Sequence, residues 1–465
     1  MIQGKKFRIY PTTTQQQTLL QWIGCQRFIY NAKVGEDRYF RRFARKSLSL
    51  CGIPVPLDQK YSQFITQDTF FLKEVPSQVL RNGAYRFRDA YQKYKSGAVS
   101  GRPKIKKKHG RQSVLLTREL FSFQIENDIA HLALGTKKFP VGEILMKQHL
   151  PVPEAPASIS ISVDAGRWFV SFATDDGVPD ISDAELAADL KQLSEGDLLQ
   201  QTVGVDRGVA IPAASSNGIG FALFAHEQKK LERAERHKKR WQRIAARRVK
   251  GSKRQKKALR RAARLQRYQA DVRKDFAHKT SRALVDTDVR LIVFEDLKIK
   301  NMTRSAKGTI EQPGKKVKQK SGLNRSILQS SWGLIETYSR YKARRDGKLV
   351  ISVKPHRSSQ ECRLCGDIRP ENRISQSVFL CLRCGHHENA DFNAAGVIKQ
   401  RGVTTLLAGE IQFKQPRKSG IRKQLGLGRP EVTLGGEDVS RMRQPSQVQT
   451  SLNREETPTT TASAV

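Results

Sequence analysis

The spacing of apolar and polar side chains predicts one strand and two helices in the N-terminal part of the chain. The segment KKFRIYP alternates as a short strand does and is stopped by Pro11. Residues 12–14 (TTT) offer a helix cap, and helical spacing then continues to about Leu48. A second helix is predicted from apolar side chains three and four positions apart, at Leu80, Ala84, Phe87, Tyr91 and Tyr94. We therefore predict a helical segment over residues 11–100.

From Gly101 onward the pattern becomes that of strands. Residues 158–163 (SISISV) alternate, the turn DAGR follows, and WFVSFAT alternates again, which predicts a β-hairpin. We interpret residues 101–175, completed by the strand in residues 1–10, as a small β-barrel-like domain. The helical segment 11–100 is then an insertion into that domain.

The net charge of the chain indicates which class of partner it binds. It holds 85 Lys and Arg against 44 Asp and Glu, a net charge of +41, which favours a polyanionic partner such as nucleic acid. A ribosome-like structural binder and a membrane-surface protein are the alternatives. No apolar run approaches the roughly 20 residues that span a bilayer, and the N-terminus lacks the apolar core of a signal peptide. We therefore expect a cytoplasmic protein.

Two segments stand out by charge alone. Residues 176–200 are acidic, with Lys191 their only cation, and we predict a solvated linker with one short helix at a domain boundary. Residues 229–274 hold 21 Lys or Arg in 46 positions against three acids, and Gly251 with Ser252 divides them into two helical halves. Such a density of like charge repels itself unless an anion neutralises it. We predict a basic helical hairpin that contacts nucleic acid.

Two further segments lack periodicity. Residues 303–322 are rich in Gly, Lys and Gln and predict a flexible loop or lid. Residues 403–465 begin as a basic stretch, and from about Gly435 they become rich in Ser, Thr, Pro and Gln, which predicts a disordered tail.

Four of the six cysteines form two CxxC pairs. Cys362 with Cys365 and Cys381 with Cys384 can each present two thiolates to one metal ion, which predicts a four-sulfur zinc site. Full thiolate ligation leaves no open position, so the zinc is expected to be structural. His386 and His387 are expected to lie outside the ligand set, and Cys25 and Cys51 are interpreted as structural residues.

Three acids lie at the ends of predicted core elements. Asp206 follows an apolar strand, Glu295 follows the apolar run LIVF, and Asp391 opens a helix. An acid in such a place is costly unless it is paired or bound to a cation, so each could be a salt-bridged structural residue or a helix cap. Three of them in a basic chain suggest a shared site that holds two Mg²⁺ and hydrolyses phosphodiesters. Asp296 competes with Glu295, because only one of them can share the face of Val293.

Several motifs, in their order along the chain, closely resemble those of the TnpB (OrfB) family of insertion-sequence proteins, which are relatives of the compact type V CRISPR effectors. The motifs are KFRIYPTTTQQQTLLQWIGCQRFIYNAKV, VGVDRGVA, LIVFEDLKIKNM, SSWGLIETYSRYKARRDGKLVISVKPHRSSQECRLCG and ENRISQSVFLCLRCGHHENADFNAAGVIK. The resemblance covers most of residues 1–400.

The resemblance implies a guide-RNA-dependent nuclease that cleaves double-stranded target DNA. It implies a split RNase H-like (RuvC-like) domain over residues 201–355 and 386–402, with Asp206, Glu295 and Asp391 as the catalytic triad. A zinc ribbon over residues 356–385 would be inserted into that domain. The β-domain and its helical insertion would then act as wedge and recognition regions for guide RNA and target DNA. The expected class is a multidomain α/β plus α+β protein, with Zn²⁺ and Mg²⁺ as cofactors.

Two other functions remain open at this point. The chain could be a transposase that joins DNA strands itself, or an accessory or regulatory protein without catalysis. We expect a monomer at the nucleoid of a prokaryotic cell. The guide sequence and the target-adjacent motif are not encoded in any pattern of the chain.

Overall fold

The computed structural model describes residues 1–44, 60–126, 129–150 and 156–411, all of which belong to the unit Met1–Arg417. Its first sheet has seven antiparallel strands in the order β2-β6-β7-β1-β5-β4-β3. These strands are β1 (Ile2–Ile9), β2 (Gln112–Thr117), β3 (Phe121–Glu126), β4 (Ile129–Gly135), β5 (Pro140–Lys147), β6 (Ser158–Asp164) and β7 (Arg167–Asp175).

Strand β1 lies in the middle of this sheet although it comes first in the chain. It pairs with β7 along its whole length, from Ile2 opposite Asp175 to Ile9 opposite Trp168, and with β5 at its end. Its inward side chains Phe7 and Ile9 are fully buried. The outer strands β2 and β3 are not paired with each other in the described part of the chain, so closure of the sheet into a barrel stays a prediction.

Two helices, α1 (Thr13–Tyr39) and α2 (Ser77–Lys95), pack on each other and on the edge of this sheet. Thr12 caps α1 in a reciprocal pair of hydrogen bonds with Gln15, which satisfies two backbone N–H groups. The helix gives way to a π-helical turn, Phe40–Ala44, so its α-helical part ends earlier than the predicted Leu48. Short 3₁₀ turns, Ser62–Phe64 and Gln67–Glu74, lead into α2. Cys25 is buried in this core, whereas Leu48 and Cys51 lie outside the described residues.

The second sheet has five strands in the order β10-β9-β8-β11-β12. They are β8 (Thr202–Asp206), β9 (Ala213–Ser215), β10 (Gly220–Phe221), β11 (Leu291–Glu295) and β12 (Leu349–Val353). Strand β11 is parallel to both β8 and β12, and β9 is antiparallel to β8. The apolar run LIVF is buried on both faces, as expected for a strand inside a parallel pair of neighbours.

Eight helices of the described residues follow the first sheet. They are α3 (Asp183–Leu190), α4 (Glu195–Gln200), α5 (Ala225–Ala246), α6 (Lys253–Val285), α7 (Ile299–Met302), α8 (Val317–Gln329), α9 (Trp332–Arg345) and α10 (Ala390–Leu407). Helices α6 and α9 cover the face of the five-stranded sheet that carries Ile292 and Phe294. Helices α3, α4 and α10 cover the face that carries Leu291 and Val293. In the described part of the chain no helix is both long and apolar enough to cross a membrane.

Residues 176–200 are not the solvated linker that their acidity suggested. Helices α3 and α4 bury Leu186, Leu190 and Leu198 against the five-stranded sheet. Their acids face outward, and Asp189 pairs with Arg290 at the start of β11. The prediction followed the acidic residues of the outer face and missed the short stripe of apolar residues on the inner face. Because that stripe is buried against the sheet, the segment belongs to the second hydrophobic core.

The loop predicted over residues 303–322 is also shorter than expected. Helix α8 already begins at Val317, and an isolated bridge joins Gly308 to Pro313. Within the predicted range, residues 303–316 contain no helix and the rest belong to α8. The long side chains of Lys318 and Lys320 had made the start of an amphipathic helix look like a polar loop.

The most basic segment forms two long helices, α5 and α6, joined by a turn at Gly251, whose φ of +85° suits glycine. The Arg261 guanidinium lies over the Trp241 ring, 4.3 Å from its centroid, and ties the two helices together. Arg267 of α6 pairs with Asp164 of β6, so the helical pair also contacts the first sheet.

Gly204 of β8 is a point of direct backbone contact with α10. A Cβ there would lie 2.1 Å from the Ala395 carbonyl oxygen and 2.5 Å from the Lys399 amide nitrogen. We expect Gly204→Ala to lower the free energy of unfolding by at least about 2 kcal/mol, because backbone cannot move aside as a side chain can. Gly35→Ala is the control, since no atom lies within 4 Å of its added Cβ. Urea unfolding that shows equal stability for both variants would contradict this packing.

Candidate active site and metal centre

The three predicted acids lie at one end of the five-stranded sheet. Asp206 is the last residue of β8 and Glu295 the last of β11, and the pairing of Val205 with Phe294 sets the two acids side by side. Asp391 is the second residue of α10, where the Asn389 side chain caps the helix by accepting from the Asp391 amide at 2.9 Å. A Cβ on Gly208, just beyond β8, would lie 3.4 Å from Asp391 Oδ2. Helix α10 therefore places Asp391 next to the ends of β8 and β11.

The charges of these acids act on one another. Burial, then the charges of Glu295 and Asp391, raise the pKa of Asp206 to about 7. Burial also raises the pKa of Glu295 and that of Asp391. Mutual repulsion of this kind is relieved when a cation binds between the carboxylates.

The carboxylate oxygens are more widely spread than ligands of a single ion. Among the described residues, only the four clustered cysteines offer ligand atoms that all lie within 4.8 Å of one another. Two ions about 3.5–4 Å apart, as in many phosphodiester hydrolases, allow their carboxylate ligands a wider spacing. The spacing of the three acids is compatible with a pair of ions.

Glu295, and not its neighbour Asp296, points into the site. Glu295 is buried, and its Oε1 accepts a hydrogen bond of 2.5 Å from the Ser358 hydroxyl. Asp296 is half exposed and pairs with Lys298. The alternation along β11 thus puts Glu295 on the face of Val293, which is the face covered by α10.

A buried arginine lies directly beneath the strand ends. The side chain of Arg207 is fully buried, pairs with Glu336 of α9 at 2.7 Å and donates to the carbonyl oxygen of Glu295. Arg340 also donates to Glu336, at 2.9 Å, and to the Val350 carbonyl of β12, at 2.7 Å. This network ties β8, β11 and β12 to α9. Sequence reasoning missed it, and the only local signal was a cation directly after Asp206 in a core strand.

We expect Arg207→Met to lower the free energy of unfolding by about 1.5–3 kcal/mol, because it leaves Glu336, which is only a quarter exposed, with Arg340 alone and removes the donor to the Glu295 carbonyl oxygen. The double variant Arg207→Met with Glu336→Leu should recover much of that loss, since both charges are then removed. Lys93→Met, which breaks a half-exposed pair with Asp89, is the matched control and should cost less than about 1 kcal/mol. Additive losses in the double variant, measured by denaturant unfolding, would contradict the network.

The cysteines form the second cluster of the site. The Sγ atoms of Cys362 and Cys384 lie 3.6 Å apart, and those of Cys365 and Cys381 lie 3.5 Å apart. A tetrahedral ion with Zn–S bonds of about 2.3 Å would separate its sulfurs by about 3.8 Å, so the donor set and its spacing fit such an ion.

The backbone around the cysteines repeats itself. The Gly366 amide donates to the Cys362 carbonyl and the Gly385 amide to that of Cys381, both at 2.9 Å. Both glycines have φ near +70°, so each chain segment turns back directly after its second cysteine. His386 lies 3.2 Å from Glu388 instead of joining the sulfurs, and His387 is exposed at the start of β14 (His387–Asn389), which pairs with β13 (Val378–Leu380).

The cysteine-bearing segment is fastened to the helix that carries Asp391. The Arg363 amide donates to Asn393 Oδ1 at 3.1 Å, and Asn393 Nδ2 donates to the Glu361 carbonyl at 2.7 Å. After a short 3₁₀ turn, Pro370–Asn372, Arg373 brings its Nη2 to 4.0 Å from Asp391 Oδ1. Its positive charge opposes the rise in the pKa of Asp391 and of Asp206. Arg373 lies in a loop with no strand or helix pattern, so sequence reasoning did not find it.

Three family models match the chain. The Cas12f1-like TNB domain matches residues 332–398, the OrfB_IS605 model, described as "Probable transposase", matches residues 152–306, and the HTH_OrfB_IS605 model, described as "Helix-turn-helix domain", matches residues 1–34. In the structure residues 1–34 form β1 and most of α1. The "Putative RNA-guided DNA endonuclease InsQ" of Escherichia coli (strain K12) is 31% identical over 427 residues, which are 90% of this chain and 96% of that protein. The chain belongs to the TnpB family.

Other comparisons agree with membership of the TnpB family. A "Putative RNA-guided DNA endonuclease" of Streptomyces pristinaespiralis is 29% identical over 87% of this chain and 90% of that protein. The Cas12f1 chain in a cryo-EM structure of the Cas12f1-sgRNA-target DNA complex superposes with a TM-score of 0.52 at 12% identity, over 86% of this chain and 98% of that chain. That likeness shows a shared mixed α/β fold. The OrfB_IS605 match includes Asp206 and Glu295, and the Cas12f1-like match includes Asp391 with the four cysteines.

Proposed function

We propose that this chain is an RNA-guided DNA endonuclease encoded by an insertion sequence. The names of its relatives support that reaction, and the net charge of +41 supports nucleic-acid partners. The observation that carries the proposal is the set of three acids, remote in sequence, at one end of a core sheet, where burial and then the charges of Glu295 and Asp391 raise the pKa of Asp206 to about 7. Such a cluster is unfavourable by itself and becomes favourable with divalent cations.

In this proposal Asp206, Glu295 and Asp391 would hold two Mg²⁺, which would supply an activated water and stabilise the leaving oxygen of a phosphodiester. Ser358 fixes the orientation of Glu295 through its short hydrogen bond. Arg207 holds the ends of β8 and β11 in register from below. Arg373, which faces the site from the cysteine-bearing segment, balances the negative charge and can contact a non-bridging phosphate oxygen.

We further propose that the four cysteines hold a structural Zn²⁺, since the sulfur spacings suit a closed tetrahedral site. The first sheet with α1 and α2 would act as wedge and recognition regions for guide RNA and target DNA. The nuclease domain would be split by the zinc ribbon over residues 356–385, and it would begin at α3 instead of residue 201, because α3 and α4 share its core. The site of action would be the cytoplasm, at the nucleoid.

The test begins with the RNA that co-purifies with the full chain. Sequencing should find a discrete scaffold that ends in a variable guide. A plasmid library that carries the guide match beside random flanks should then be cut in Mg²⁺ and left intact in EDTA. Joined DNA ends without any guide would instead support a strand-joining transposase, and guide-dependent binding without cleavage would support a regulator.

A further inference from the structure

A cavity of about 330 Å³ lies where α1 and α2 meet the strands β2, β6 and β7, far along the chain from the triad residues. The loop before β2 forms its rim. Its lining consists of Ile23, Gln26, Arg27, Arg86, Lys106, Lys107, Gly110, Arg111, Ser113, Ser160, Ser162 and Ser171. Five of these residues are cations, and the lining contains no carboxylate within the described ranges.

Neutral groups hold two of these cations, Arg86 and Lys106, in place. Arg86 donates to Gln26 Oε1 at 3.1 Å, to the Ser113 carbonyl at 3.2 Å and to the Ser113 hydroxyl at 3.3 Å. Asn31 fixes the backbone of Lys106 by two hydrogen bonds, at 2.8 and 3.0 Å. The Lys106 ammonium lies 3.6 Å from the centroid of the Tyr30 ring. Both cations are therefore oriented by neutral groups, and in the part of the chain that the structure describes neither forms an ion pair, although the charge of Asp89 acts on Arg86 from a distance.

This arrangement is unfavourable for the empty protein. Burial, and then the charges of Arg86 and Arg111, lower the pKa of Lys106 to about 7. Burial, and then Arg111, likewise lower the pKa of Arg86. A protein that buries cations beside one another gains stability when an anion binds among them.

Serine hydroxyls form the floor of the cavity. Ser160 and Ser162 alternate with the buried Ile159 and Ile161 along β6, so both point to the cavity side of the sheet. Ser113 lies directly across from Ser162, and Ser171 directly across from Ser160. Hydroxyls donate to phosphate oxygens, and they can also donate to or accept from a ribose 2′-hydroxyl.

We propose that this cavity binds one phosphate of an RNA backbone together with the adjoining ribose. The cavity is open on one side and lies between two helices and three strands, a shape that suits a single strand, since a duplex presents its phosphates on a convex surface. The serine floor favours RNA over DNA because only RNA offers the 2′-hydroxyl. The inference rests on the proposed function insofar as the RNA is the guide RNA of this chain.

The test compares Lys106→Gln with Lys104→Gln and Lys108→Gln, which remove the same charge from the same loop at positions outside the cavity lining. Affinity of the full chain for its co-purified RNA is measured by filter binding between 50 and 300 mM salt. Lys106→Gln should weaken binding roughly tenfold and reduce the slope of log K against log salt by about 0.7–1, as for one lost phosphate contact. Equal effects of all three substitutions would overturn the proposal.

Two further readouts separate binding from folding. In RNA-free protein, Lys106→Gln should raise the melting temperature by a few degrees, because it removes repulsion from Arg86 and Arg111, and Lys108→Gln should not. Ser162→Ala should weaken binding of RNA but not of single-stranded DNA of the same sequence. Equal serine dependence for DNA would overturn the assignment to RNA.

The outcomes also distinguish this cavity from the proposed function. If the wild-type chain carries no RNA at all, the proposed function fails. If it carries RNA and cuts DNA while Lys106→Gln behaves like its controls, only the phosphate site fails.

Discussion

Asp206→Asn is expected to abolish guide-dependent DNA cleavage, by roughly 10³-fold or more, while RNA binding persists. The amide has nearly the shape of the carboxylate, so β8 and its pairing with β11 remain. What is lost is the negative charge that would hold a divalent cation at the strand ends. Cleavage of a matched plasmid and filter binding of the RNA measure the two properties separately.

The same substitution should stabilise the metal-free protein. An unfolded Asp206 has its ordinary pKa of 3.8, and burial with the charges of Glu295 and Asp391 raises the pKa in the folded protein to about 7. The unfolded state therefore loses its proton first, and the stability of the wild type falls as pH rises from about 4 to 7 and stays low above that. The variant lacks this loss, which amounts to about 1–4 kcal/mol. Urea unfolding in EDTA at pH 5 and pH 8 should show the difference growing with pH.

Asp296→Asn is the matched control. It removes one carboxylate from the residue next to Glu295, but that carboxylate is half exposed and pairs with Lys298. Cleavage and the pH dependence of stability should both stay near those of the wild type. Retained cleavage in Asp206→Asn, or equal loss in Asp296→Asn, would show that the strand-end acids are not the catalytic group.

The sequence pattern predicted correctly those parts of the fold that depend on interactions between residues close together in the chain. The capping threonine at α1, the turn at Gly251 and the burial of LIVF in β11 each depend on residues a few positions apart. The acidic segment 176–200 was misread for the opposite reason. Its apolar stripe is only a few residues wide, and its burial depends on strands β11 and β12, which begin only at Leu291 and Leu349.

The residues of the site also fall into those that the sequence could predict and those that it could not. A carboxylate at the end of an apolar strand is visible in the sequence, as Asp206 and Glu295 are. Ser358 and Arg373 come from loop residues whose only distinguishing property is where the tertiary fold carries them. Arg207 could be predicted only in part. A cation directly after a core strand needs a buried partner of opposite charge, but nothing in the local sequence identifies Glu336 as that partner.

Replacing Cys362 with Ser is expected to remove the bound zinc and, with it, DNA cleavage. Structural zinc sites contribute about 10–16 kcal/mol of apparent folding free energy to small domains, so the loss of one buried ligand should unfold the ribbon. Zinc per chain, measured by inductively coupled plasma mass spectrometry, should fall from about one to near zero. Cys25→Ala is the control, because Cys25 is buried among the apolar residues of α1 and should not affect the zinc content.

Loss of cleavage follows from how the ribbon is attached. Strand β14, which pairs with β13 of the ribbon, runs directly into α10, so the ribbon defines where the helix begins and where Asp391 lies. The ribbon also supplies Arg373 and is held to α10 through Asn393.

DNA cleavage should depend on the bound zinc, whereas zinc binding should not depend on the catalytic acids. Cys362→Ser should lose both zinc and cleavage, whereas Asp206→Asn should lose cleavage and keep its zinc. Cys384→His, which retains four ligands at an exposed corner of the cluster, should keep both in large part. If Cys362→Ser loses its zinc but still cleaves DNA, the ribbon does not position Asp391, and α10 alone must hold that acid at the strand ends.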